Sequence, residues 1–240
     1  MTAADRFART ALTMLRAVTT RRDSPEGYLG SESYELLDLY QKDIEQVGKQ
    51  LLPELPDDWA TALDTLRSLP VVEAKTLATD MAVRKRKQFE KSQWQLFSMW
   101  LDDCEGWALV DNLCCDLLSE FLLRWPELLD KTDNWARSKN LWKRRAALVI
   151  LVRPARDGHF SAALFQRLEF LAADHDPMIY KAVSWALRSA ITAERAKVER
   201  FLHDNSSVLK PVVIREVRTK LDTGRKSPTL RNTKANTPRQ

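Results

Sequence analysis

The chain has 240 residues, 44% of them hydrophobic, and a formal net charge of +5. That apolar share is ample for a folded core, while no run nears the roughly 18 to 20 apolar residues of a helical membrane span. Its basicity belongs to one end: residues 220–240 hold six basic side chains against Asp222, and residues 1–219 carry 32 basic and 32 acidic groups. A binding surface on the folded part must therefore come from local clustering rather than from net charge.

The N-terminus, MTAADRFARTALTML, is amphipathic and carries arginines through its apolar positions, unlike a signal peptide. From there the apolar residues recur at i, i+3 and i+4. This predicts helices over ADRFARTALTMLRAV, SYELLDLYQKDIEQVGKQLL, WATALDTLRSL, VVEAKTLATDMAVRKRKQF, WALVDNLCCDLLSEFLLRW, NLWKRRAALVILV, AALFQRLEFLAA, MIYKAVSWALRSAI and AERAKVERFLH. Pro53, Pro56, Pro70, Pro126, Pro154 and Pro211 fall between these segments, and Asp176-Pro177 reads as an N-cap with proline at the first helical position. About a dozen helices on short links is the pattern of stacked helix pairs, so the expected fold is all-α, a HEAT-like solenoid of about six antiparallel pairs, with an irregular bundle as the alternative. Residues 1–222 form one domain on this reading. The tail 223–240 is too polar to offset its ordering entropy and is expected to be disordered.

The candidate chemistry is sparse. Cys104, Cys114 and Cys115 form neither a disulfide framework nor a C-x-x-C spacing, which points to a reducing, intracellular setting. His159, His175 and His203 lack a second ligand at helical spacing, and no phosphate-cradling glycine loop occurs, so no metal or other cofactor is expected.

Three features stand out. Trp107 and Asp111 are four residues apart and share one flank of a helix whose core stripe is Val110, Leu113, Cys114, Leu117 and Phe121. Trp185 lies off the stripe formed by Ile179, Ala182, Val183, Ala186 and Ala190, flanked by Lys181 and Arg188. That is either a packed indole or an aromatic surface in a cationic groove suited to nucleic acid. Arg145 projects into the stripe of Leu141, Leu148 and Val152, where it must meet an anion. The anion could be a buried carboxylate, or a phosphate, since Arg137, Lys139, Lys143 and Arg144 surround it with no acid between 137 and 145. The run RKRKQFEK at 84–91 is a second basic cluster, of the kind that is usually a solvated face.

GWALVD, RWPELLDKTDNWARSKNLWKRRAAL, MIYKAVSWALRS and the closing REV, in that order and spacing, resemble the AlkD-type family of DNA alkylation repair enzymes. The resemblance runs from GYLGSESYELLDLY to KPVVIREV. It implies a HEAT-like solenoid whose concave basic face holds duplex DNA and which hydrolyses the N-glycosidic bond of cationic alkylpurines such as 7-methylguanine and 3-methyladenine without flipping the base. Trp107, Asp111 and Trp185 occupy the positions of the family's catalytic tryptophans and carboxylate. Arg145, in Trp142-x-x-Arg145, matches its DNA-contacting arginine, and Arg144, Lys143, Lys139, Lys181 and Arg188 would add phosphate contacts. Gly106 stands where some members carry a second aromatic. The chemistry is consistent with an oxocarbenium-like transition state stabilised by a carboxylate and by electron-rich rings. The expected partner is duplex DNA containing alkylated bases, with no membrane, bound by a monomer that is cytoplasmic or nucleoid-associated. The alternatives are a non-catalytic HEAT-like module for bent or branched DNA and a protein-binding HEAT scaffold.

Overall fold

The computed structural model describes residues 1–23 and 33–226. The first residues of the GYLGSESYELLDLY stretch and the tail beyond 226 lie outside the described residues.

Among the described residues the chain is all-α. Its helices are α1 (Ala3–Ala17), α2 (Gln41–Leu51), α3 (Trp59–Arg67), α4 (Val72–Arg84), α5 (Trp94–Met99), α6 (Trp107–Asp111), α7 (Ser119–Arg124), α8 (Leu141–Val152), α9 (Ser161–Leu171), α10 (Pro177–Asp204) and α11 (Pro211–Thr223). They stack in chain order in the HEAT-like manner expected: α1 and α2 on α3 and α4, α6 on α8, α8 on α10, and α10 on α11. Among the described residues no helix is long and apolar enough to cross a membrane.

Local signals set the ends. Thr2 and Asp5 form a reciprocal capping box on α1, and Asn140 accepts hydrogen bonds from the N–H groups of Trp142 and Lys143 at the start of α8. Asp176 caps α10 through the N–H of Met178, ahead of Pro177. The two predicted segments MIYKAVSWALRSAI and AERAKVERFLH join as this single helix, broken only at Glu194 (φ −132°, ψ 37°). The core stripes of Val110 to Phe121 and of Ile179 to Ala190 are fully buried, as their spacing predicts. In α8 burial goes further: Ala146 through Val152 are all inaccessible, so this helix is surrounded rather than one-sided.

One predicted helix is corrected. SYELLDLY does not lead into α2; the chain reaches Gln41 extended, with Glu35 paired to Val71 and Asp38 at φ 55°. A long-range carboxylate overrides the local period here. Buried Glu73 of α4 accepts the N–H groups of Leu37 (2.9 Å) and Leu39 (3.2 Å), donors that a helix would have used internally. Glu73→Ala is expected to lower unfolding free energy by about 2 kcal/mol, measured by urea denaturation, because two buried donors lose a charged acceptor.

Between Asp111 and α7 the helix widens into π geometry over Asn112–Leu118. Its far end is held by a ring cluster in which Phe121 stacks on Phe89 with centroids 4.6 Å apart. Aromatic burial of this kind fixes the α6–α7 element against α5 and the α4–α5 connection.

Candidate functional site

Trp107 owes its position to the turn before it. Lys75 and Arg67, both buried, reach Asp103 at 2.6 and 3.3 Å, Arg67 also donates to the Trp100 carbonyl, and the Tyr34 hydroxyl donates to the Asp103 carbonyl. These bonds pin the loop that ends in Gly106, whose φ of 89° suits a residue without a side chain. A residue with a side chain would be strained there, which accounts physically for the glycine.

Trp107, Asp111 and Trp185 line two adjoining cavities. One, of about 670 Å³, is completed by Arg145, Met178, Lys181, Arg188, Glu216 and Lys226. The other, of about 600 Å³, extends toward α2 and α4 and is bordered by Glu45, Glu73, Asp116, Arg22 and Arg156. The three residues predicted to act together therefore meet where a cation-rich lobe joins an acid-rich one. Both tryptophans are half-buried, with ring surface open to the cleft.

Arg145 pairs with a carboxylate of its own chain. Its Nε and Nη2 donate to Asp111 Oδ1 and Oδ2, each at 2.7 Å, and Nη1 donates to the Met178 carbonyl. Only 7% of the arginine side chain and 16% of the aspartate side chain are exposed. Of the two anions its sequence position allows, it meets the carboxylate, and that carboxylate is the proposed catalyst. Burial pushes the Asp111 carboxyl above the usual aspartate range, against the hydrogen bonds and positive charge of Arg145.

Its neighbours are also engaged. Lys143 pairs with Asp102 at 2.6 Å and Arg144 with Asp174 at 3.0 Å. Successive residues on a helix point about 100° apart, so three consecutive cations reach three aspartates on three different elements. Arg188 pairs with Glu216 and with the Ser184 hydroxyl. Of the six predicted phosphate-binding cations, Lys139 and Lys181 are exposed and free of carboxylate partners among the described residues. Sequence reasoning missed Met178 and the acid-rich lobe. Glu216 lay within the closing REV but had no assigned role.

A HEAT-like all-α stack with two indoles and an arginine-held carboxylate at its cleft defines a class of helical proteins with a built polar site. The chain belongs to the family described as DNA alkylation repair enzyme, whose model matches residues 13–221. It is similar in structure to a protein described as a predicted DNA alkylation repair enzyme from Enterococcus faecalis, with a TM-score of 0.70 and 18% identity over 86% of this chain and 100% of that one. That likeness supports the fold. Among curated proteins no match is found.

Proposed function

We propose that this protein is a DNA glycosylase that hydrolyses the N-glycosidic bond of cationic alkylpurines, 7-methylguanine and 3-methyladenine, in duplex DNA, acting as a monomer. The observation that carries the reading is the meeting of Trp107, Asp111 and Trp185 at one cleft in a chain of the DNA alkylation repair family.

The base departs with the electron pair of the C1′–N bond, which neutralises its own charge, and positive charge builds on the sugar. Asp111, ionised, stabilises that charge; the water that adds to C1′ gives up its proton to the solvent that fills the open cleft. The guanidinium uses one acceptor site on each carboxylate oxygen, and a carboxylate offers about four, so the pair leaves room for a water or the sugar edge. Trp107 and Trp185 present ring faces to the cationic sugar. Arg145 is a positioning residue in this scheme, fixing both the rotamer and the ionisation of Asp111. Lys181 and Lys139 take the phosphate contacts.

A second reading, a DNA-binding module without catalysis, is favoured by the same ion pair, because a neutralised carboxylate stabilises a nearby cation less. Incubating the protein with methylated duplex and separating the free bases by chromatography decides between them. Release of 7-methylguanine or 3-methyladenine is the expected result; binding without release would establish the second reading.

A further inference from the structure

A further cavity, of about 750 Å³, lies outside the cleft, between the α9–α10 link, the α10–α11 link and α11. His175, Lys210, Arg215 and Arg218 line it together with Ser206 and Ser207, and no acidic residue does.

Charge pairing makes this unusual for the molecule. At the cleft Arg145 and Arg188 are matched by Asp111 and Glu216, and beside it on α8 Lys143 and Arg144 are matched by Asp102 and Asp174. Here the acids close in sequence are already committed. Asp174 holds Arg144, Asp176 caps α10, Asp204 meets His203, and Glu216 holds Arg188. Among the described residues Lys210, Arg215 and Arg218 have no carboxylate partner, and both arginines are exposed. Arginine presents a planar fork of donors that matches phosphate oxygens, and the two serines add hydroxyl donors.

We propose that this cavity is a second DNA-backbone site, which grips phosphodiesters beside those at the excision cleft. The two cavities approach one another at the α9–α10 link. His175 borders the basic cavity and Met178, three residues on, borders the cleft. Their backbones are therefore at most about 10 Å apart. A DNA strand carries one phosphate per roughly 3.4 Å of helix axis, so these bordering residues lie within about three phosphates of one another. The proposal rests on DNA being the ligand of the cleft but not on base excision.

The test uses the full chain and an unmodified duplex. Arg215→Gln with Arg218→Gln, and separately Lys210→Gln, would be compared with the wild type by fluorescence anisotropy over a salt series. Thermal melts would verify that each variant is folded, as expected for exposed positions. The expected result is a shallower dependence of log affinity on log salt, by about 0.9 for each phosphate that the variant no longer neutralises. Equal salt slopes for wild type and variants overturn the proposal. A wild type that gives the slope difference but releases no methylated base would leave this site standing and remove the glycosylase reading.

Discussion

On the proposed reading, Asp111→Asn is expected to slow single-turnover base release about 10²- to 10³-fold, the scale seen when one preorganised electrostatic group is removed from a transition state. The amide keeps an acceptor for one Arg145 donor but turns its own N–H groups toward the other, so a modest loss of stability will accompany the loss of rate. Measuring release with saturating protein well below the melting temperature separates the two. pH gives a sharper discriminator. The Asp111 carboxyl is raised above 3.8 by burial, and catalysis needs it ionised. Wild-type activity should therefore fall as pH drops through that raised value, on the acid side of a plateau. The residual activity of the asparagine variant should lack that limb. An unchanged rate in Asp111→Asn would return Asp111 to a purely structural role.

Removing the other partner should act differently. Arg145→Ala leaves a largely buried carboxylate without its counter-charge and the Met178 carbonyl without its donor. Breaking such a pair costs about 3 to 5 kcal/mol; the 16% exposure of the Asp111 side chain puts the expected loss near the lower figure. Arg145 lowers the Asp111 pKa by hydrogen bond and by charge, so its loss raises that pKa further. The acid limb should then move to higher pH, a shift that mere unfolding would not produce. Affinity for undamaged duplex, by contrast, should keep its salt slope, since Arg145 is spent on Asp111 rather than on phosphate. A slope shallower by about 0.9 would instead identify it as a phosphate ligand.

Much of this site was legible in the sequence. Spacing alone placed Trp107 beside Asp111 and put Trp185 off its packing stripe, because helical periodicity is a local property carried by four or five residues. What periodicity does not encode is which distant residue meets a side chain. The stretch 137–145 is free of acids in sequence, which favoured phosphate as the partner of its cations. In space Asp102, Asp111 and Asp174, from 30 to 41 positions away, neutralise Lys143, Arg144 and Arg145 one by one. The same limit explains the missed extended approach to α2. SYELLDLY has a helical pattern, yet Glu73, more than thirty residues later, claims its backbone donors. The acid-rich lobe escaped for a related reason. Its members come from α2, α4 and the stretch after α6, and they share no local pattern.

The widened π stretch over Asn112–Leu118 bears on how this chain can change in length. Such a stretch accommodates one more residue than the α-helix it interrupts. Deleting any single residue there would let the backbone relax to ordinary α-helix, so the fold itself would tolerate the loss. The widened turn already absorbs that residue, so the segments on either side would keep nearly the facing they have, whereas a deletion in regular α-helix turns them by about 100° relative to one another. With Phe121 anchored in the aromatic cluster, a further deletion, falling on what is then regular α-helix, is what would swing Trp107 and Asp111 away from Trp185. One residue can therefore be lost from these seven positions with the cleft preserved and a second cannot, which makes residue count here, more than residue identity, the quantity that selection would guard.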